Sequence, residues 1–449
     1  MRLFPITMSA AALLAAAPAL AQSEDGPLTF SGSARARYES LGGQYRPGRS
    51  ASDQFLSTKL SLGAELDLGA LALVGEITDA RGWKADEGSS LSTSEVNTFE
   101  VPVLHLRYDA EGWLGDGSET EVRVGRFYLN QRSRRLVAIS AYPNVTTAFT
   151  GASIDWKRGG DAFSAFYTLP QTRLPSDLPA LLDNDHDWDE ESGDLRLWGL
   201  FYARDKAIGD AAVEAYLYGL NEEDSADLPT RNRDLWTAGG RVVRAPAKGA
   251  WDAELEGAWQ GGSSRNSTAV ADVADLDVSA WFIHAEAGYT FDAPWSPRLA
   301  LIYDIASGDE DPTDDEVNRF DPLYGSRTGD FGPSALYGPL DRSNISAPGV
   351  RVQVKPSDRL DGFVSARGLW LEEARDSFAR TGVRDSTGGS GRFAGYQLET
   401  KARYWIVPRS LRLEVSGAVL FDEGFLLEAP NVTSLGDTIY GAVDITKTF

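Results

Sequence analysis

Residues Asp437 to Phe449 read DTIYGAVDITKTF. Ile439, Gly441, Val443 and Ile445 fall on one face; Tyr440, Ala442, Asp444, Thr446 and Thr448 fall on the other. A period of two, apolar on one side and polar on the other, is the pattern of a β-strand between two unlike environments. A lone strand leaves two edges of unpaired backbone groups. What this one means depends on the partners the rest of the chain supplies.

At the other end, Arg2 is the only charge before a small-residue apolar run, Met8 to Ala19, and Ala19-Leu20-Ala21 fits an A-x-A cleavage pattern. This predicts an export leader over residues 1–21 and a mature chain over 22–449. The run is too short for a membrane anchor, and Pro18 ends it. Beyond residue 21 no stretch approaches the roughly 20 apolar residues of a transmembrane helix. The mature chain is therefore either soluble or spans as a barrel. There are no cysteines, which excludes a disulfide scaffold and thiol chemistry. The three histidines, His105, His186 and His284, have no metal-ligand spacing, so neither a zinc site nor a cofactor is expected.

The formal charge is −23, and losing Arg2 with the leader makes it −24. That sign argues against nucleic acid as a partner. Residues 183–194 hold seven acids and no base, and 309–316 hold six and no base. Neither run has the order of a calcium loop, so both read as solvated loops. Nothing singles out a glycosidase pair among the 66 acids, so no enzyme activity is expected.

From residue 28 the chain lays out as eighteen alternating strands. In Leu28–Glu39, Phe30, Ala34, Ala36 and Tyr38 oppose Ser31, Ser33, Arg35, Arg37 and Glu39. In Trp251–Gln260, Trp251, Ala253, Leu255, Gly257 and Trp259 alternate with Asp252, Glu254, Glu256, Ala258 and Gln260. The connections alternate strictly: short at Gly69, 158–161 and 356–358, long at 129–147, 170–194, 308–348 and 372–394. Short turns on one side and long loops on the other are what a transmembrane barrel produces. Trp251 and Trp259, Trp281 and Tyr289, and Tyr396 and Tyr404 are eight apart on apolar faces. Eight tilted strand residues rise roughly 20 Å, close to the distance between two aromatic girdles. The expected fold is all-β: a transmembrane antiparallel barrel of 18 strands, with both termini at the short-turn end. The longest loop, 308–348, is expected to cover the pore.

A C-terminal amphipathic strand ending in phenylalanine resembles the closing strand of bacterial outer-membrane barrels. Residues Val124 to Trp156 read VGRFYLNQRSRRLVAISAYPNVTTAFTGASIDW. Gly125-Arg126, Arg135-Leu136 and Phe149-x-Gly151 resemble motifs of the alginate export family of outer-membrane barrels, as does Arg319–Tyr324 after an acidic run. Phe127 departs from the family's usual polar residue there. The resemblance implies a Gram-negative outer-membrane channel with a basic lumen, through which an anionic polysaccharide leaves the periplasm. Its surroundings would be outer-membrane lipid and lipopolysaccharide, and the barrel assembly machinery would insert it.

By strand parity Arg35, Arg37, Arg107, Arg123, Arg351, Arg367 and Arg403 face the lumen. The resemblance adds the motif arginines Arg126 and Arg135 to the candidate path. Guanidinium groups bind carboxylates in pairs of hydrogen bonds, which suits a polyuronate. Acids facing the same lumen, among them Glu76, Asp252, Glu254, Glu256 and Asp304, could instead neutralise those bases. The bases concentrate on strands 1, 4, 5 and 14–16 and the acids on strands 11–13, so the expectation is incomplete pairing. Arg126 shares parity with Val122 and Val124 and would face lipid, unless a bulge shifts it or it sits at the extracellular rim. Two rival functions remain: a diffusive porin for uptake of small solutes, and a secreted all-β enzyme.

Overall fold

In the computed structural model the period-two alternation runs through every long strand, with its faces inverted relative to a water-soluble sheet. The structure describes residues 26–140, 142–333, 336–433 and 436–449. The leader expected over residues 1–21 lies outside them. The strands, in chain order, are β1 (Leu28–Gly42), β2 (Ser52–Asp67), β3 (Leu71–Trp83), β4 (Asn97–Glu111), β5 (Ser118–Phe127) and β6 (Phe149–Arg158). There follow β7 (Asp161–Pro170), β8 (Leu195–Ile208), β9 (Ala211–Glu222), β10 (Asp234–Arg244), β11 (Ala250–Ser264), β12 (Leu276–Thr290) and β13 (Arg298–Ala306). After the two-residue β14 (Glu316–Val317) come β15 (Ile345–Ser357), β16 (Leu360–Trp370), β17 (Phe393–Val407), β18 (Leu411–Asp422) and β19 (Thr438–Thr448).

Every strand but β14 stands in one antiparallel wall, and β1 pairs with both β2 and β19. The wall is thus a closed barrel of eighteen strands, as expected. In hydrocarbon an open edge would cost several kcal/mol for each unpaired backbone group, so closure is obligatory. Outside the strand register, Phe449 and Gly32 exchange backbone hydrogen bonds of 2.9 and 3.0 Å. The Phe449 ring occupies the space where a Gly32 side chain would stand.

The outer face is apolar: Trp251 and Leu301 are each 66% exposed, Val124 56% and Leu104 55%. These are the positions that meet lipid. Trp251 lies opposite Tyr289 and Trp259 opposite Trp281, so the eight-residue aromatic pairs line up across neighbouring strands. The inner face is polar and buried, with Glu256, His284 and Arg367 all at 3% exposure or less. A hollow tube would leave these groups wet. They are buried because loops fill the lumen.

Short turns close one end. Gly159 and Gly209 take positive φ at the first position of two-residue turns, which suits the right-handed twist of the hairpins they join. Long loops crowd the other end. The third, L3, covers 128–148; the fourth, L4, covers 171–194; the seventh, L7, covers 307–344; the eighth, L8, covers 371–392. L4 carries helix α1 (Leu178–Asp183), capped by the Asp177 side chain, and α2 (Phe425–Glu428) lies in the last loop. L7 is the longest, and it begins with β14 pairing alongside β12. Phe320, Phe331, Phe378 and Phe425 from these loops are 0–1% exposed and belong to one apolar core inside the barrel mouth, while Tyr337 of L7 packs in a second cluster with Leu41, Phe55 and Tyr440.

Candidate functional site

Two loops block the lumen together. Val137 of L3 bridges to Tyr324 of L7, and their backbones exchange further hydrogen bonds, Tyr324 N–H to Leu136 and Ala138 N–H to Tyr324. Gly325 approaches the Arg135 carbonyl so closely that no Cβ could stand between them. L3 then reaches β1 and β19. Arg37 on β1 donates to the Tyr142 carbonyl at 2.7 Å, its guanidinium lies 3.9 Å from the Tyr142 ring centre, and the Tyr142 hydroxyl meets Tyr440 of β19 at 2.6 Å.

Three sizeable cavities border this septum. The extracellular one, of about 400 Å³, is lined by Arg46, Arg49, Arg173, Arg327 and Arg380 against Glu95 and Asp341. A second, of about 470 Å³, is lined by Arg35 and Lys59 against Glu76. Ser140, Pro143 and Thr146 of L3 line both of these, so L3 is the partition between them. The third, of about 380 Å³, is lined by Arg37, Arg134, Lys401, Arg403 and Arg412 against Asp330 and Glu414. It lies toward the short turn at 408–410, the periplasmic end. Each cavity has more bases than acids on its walls, in a chain whose formal charge is −23.

In the extracellular cavity the imbalance shows in the hydrogen bonds. Arg49 donates to the Ser89 carbonyl and Arg327 to the Gly338 carbonyl; Arg46 donates to Gln44, Ser90 and the Leu336 carbonyl. Burial, with repulsion from Arg49 and Arg380, lowers Arg46 to about 10, and burial with repulsion from Arg380 and Arg46 lowers Arg327 likewise. Burial pushes the Glu95 carboxyl up to about 7 despite its bonds to Ser92.

The nine expected path arginines divide into four groups. Arg35 and Arg37 hold L3: Arg35 reaches the Pro143 carbonyl at 3.0 Å and Asn144 Oδ1 at 2.6 Å, with Asp444 paired to both arginines at 3.7 and 3.1 Å. Arg135, Arg351 and Arg367 converge on the tip of L7. Arg135 binds Asp330 at 3.0 Å, Arg351 the Gly329 carbonyl at 3.0 Å, and Arg367 lies 5.5 Å from the Phe331 ring centre. Arg107, Arg123 and Arg403 are held by acids of the wall, Glu65 at 2.8 Å, Asp155 at 3.0 Å and Asp361 at 2.6 Å, and of these Arg403 also lines the third cavity.

Arg126 is on the other side of the wall. The register runs unbroken through it, opposite the lipid-facing Leu104 and opposite Thr150, so no bulge turns it inward. It stands at the extracellular end of β5, where L4 folds over it and supplies Glu191 at 2.5 Å, with Glu100 at 3.1 Å. These carboxylates shield a charge that lipid could not solvate.

The expected separation of bases from acids is not met. Arg135 pairs with Glu254 and with Glu256 at 2.6 Å, Arg367 with Asp304 at 2.8 Å, Arg241 with Glu214 at 3.2 Å, and Arg298 with Asp252 and Glu286. Strand parity could not see Arg135, because a loop brings it in. Nor could it place Arg46, Arg49, Arg173, Arg327 and Arg380, which gather from four separate loops. The only sign of them is basic residues in loops otherwise rich in acids. Among the described residues, His284, Asp304 and Asp330 bring possible metal-ligand atoms within 4.8 Å of one another. Arg367 already neutralises Asp304, and Arg135 and Arg342 neutralise Asp330, so this group reads as an ion-pair network.

A closed wall with a lipid-facing apolar band and a basic, loop-filled lumen defines an outer-membrane channel of Gram-negative bacteria. The chain belongs to the alginate export family, whose model matches residues 26–435. No curated protein sequence matches it. Solved structures share the fold at low identity. Pseudomonas aeruginosa OccD3 (OpdP) is 13% identical, with a TM-score of 0.56 over 96% of each chain. A BenF-like porin from Pseudomonas fluorescens Pf-5 is 11% identical, with a TM-score of 0.58 over 95% of this chain and 99% of its own. Acinetobacter baumannii OccAB1 is 11% identical, with a TM-score of 0.58 over 96% and 99%. The fold and the family are those of channels.

Proposed function

We propose that this channel exports an anionic polysaccharide of the alginate type. The observation that carries the reading is the excess of bases on all three cavity walls in a protein of net charge −23. Five arginines around one cavity lower the barrier to a polyanion, which carries a carboxylate on every sugar. Arg35, Arg37, Arg135, Arg351, Arg367 and Arg403 would contribute to the path, with Arg107 and Arg123 nearer the periplasmic rim. Arg126, on the outer face, serves L4 instead. The reading includes export of the chain itself, with residues 1–21 as a cleaved leader and 22–449 as the barrel; N-terminal sequencing of the membrane-inserted protein tests that.

Planar-bilayer recording in a salt gradient, with and without polyuronate, tests the function. Anion preference and block by polyuronate are expected. Cation preference without block overturns the reading. Uptake of small anionic solutes is the second reading, favoured by how fully L3 and L7 occupy the lumen. Liposomes loaded with polyuronate separate the two: an exporter releases the polymer, whereas a porin passes small carboxylates only.

A further inference from the structure

The tip of L7 places a carboxylate, Asp330, among arginines of the lumen. Asp330 accepts from Arg135 Nε at 3.0 Å and Nη2 at 3.3 Å, and from Arg342. Arg135 has other partners in Glu254 and Glu256. Arg342 does not: its remaining bonds go to the Ser326 carbonyl at 3.0 Å and the Arg135 carbonyl at 3.4 Å, and its guanidinium lies 5.3 Å from the Phe331 ring centre. Arg342 is 2% exposed, so among the described residues Asp330 is its sole anionic partner.

The placement of Asp330 is as telling as its partners. It lines the periplasmic-side cavity, whose other walls are mostly basic. Its neighbour Gly329 is exposed, and the Gly329 carbonyl is held by Arg351. Burial alone would raise the Asp330 carboxyl, but Arg135 and Arg342 outweigh it and hold the group well below the usual range. It is therefore an anion at any working pH. Chemically it is the same group that a uronate sugar presents.

We propose that Arg135 and Arg342 form a carboxylate-binding site in the lumen, and that Asp330 fills it as a built-in stand-in for the substrate's carboxylate. A uronate arriving from the periplasmic cavity exchanges with Asp330, takes over the two guanidinium groups, and frees the L7 tip. The inference rests on the exporter reading and adds to it the residue the substrate must displace.

The test is block of single channels by short oligogalacturonate in planar bilayers, using full-length protein that retains its heat-dependent gel mobility. Asp330→Asn keeps the size and removes the charge. It uncovers Arg342, so block should set in at a concentration roughly tenfold lower, the worth of one charge-assisted hydrogen bond. Asp315→Asn, the same charge change at an exposed position of L7, should behave like wild type. Arg342→Gln should weaken block, and it reports on the same site if Asp330→Asn fails to fold. A role in packing alone would move Asp330→Asn and Arg342→Gln in the same direction, and that outcome overturns the proposal. So does wild-type block in Asp330→Asn, or an equal shift in Asp315→Asn. If wild type stays anion-selective and blocked in those cases, only this inference falls. Absence of block in every protein removes the exporter reading as well.

Discussion

Arg126 and Arg135 lie nine residues apart and face opposite environments. One closes a strap over the outside of the wall; the other ties both plug loops to β11. Replacing Arg126 with alanine should leave ion selectivity unchanged and loosen L4, seen as protease nicking near Glu191 on intact cells. Replacing Arg135 with alanine removes the one guanidinium that Glu254, Glu256 and Asp330 share in a buried site, leaving them to Arg241, Tyr216 and Arg342. Losing one partner of such a network costs about 3–5 kcal/mol. That variant should fold as a barrel yet show a noisy, enlarged conductance. Glu95 gives a pH signature. Folding raises its pKa from 4.5 to about 7, so the folded chain holds a proton the unfolded chain has lost between those values. Its contribution to stability therefore falls as pH rises through that window and is flat above it. As pH drops from 8 to 6 the carboxylate is neutralised and the arginine cavity becomes more positive. Anion preference, read from reversal potentials, should rise over that range in wild type and stay fixed at the low-pH value in Glu95→Gln. The outward parity of Arg126 and its place at the rim were legible in the sequence; its partners, those of Arg135 and the setting of Glu95 were not, since they depend on which loop residues meet.

At the scale of elements the reading from sequence went further. Alternation within each strand reflects a physical constraint, lipid on one side and polar groups on the other, so Trp251 and Trp259 were placed correctly from parity alone. Alternating connection lengths likewise revealed which end carries the loops, and 308–348 was recognised as the main excursion. What stayed hidden was the direction of L3. Its length and motif marked it, but periodicity stops at Phe127, and only tertiary contacts turn the chain inward. L3 and L7 now form one unit through Val137, Tyr324 and the close approach at Gly325. Deleting 309–340 should therefore raise conductance by more than the volume of L7 implies, because L3 loses its support. Gly325→Ala is the milder version. Its added methyl collides with the Arg135 carbonyl, and flickering openings should appear in single-channel records without loss of the folded gel band.

For the whole molecule, charge and permeation part company. The chain is strongly acidic, yet its cavities are basic, since many of the acids stand on outer loops and act across a Debye length of ~8 Å at physiological salt. Bilayer reversal potentials should show anion preference, and added salt should weaken it only modestly, because buried charges are screened less. Replacing Arg46 and Arg327 together by alanine should reduce that preference while leaving heat-dependent mobility intact.

L3 leaves the wall between β5 and β6 and fastens to Arg37 on β1 and Tyr440 on β19, while Arg135 on the same loop grips β11. It is a set of spokes within a rim. A cylinder of eighteen strands has only hydrogen bonds to resist being squeezed into an oval, and lateral pressure from the bilayer acts on it from all sides. The spokes carry that load across the lumen. Loosening L3 would thus soften the cylinder as well as open it, and the cross-section of the channel would begin to follow the tension of the membrane around it.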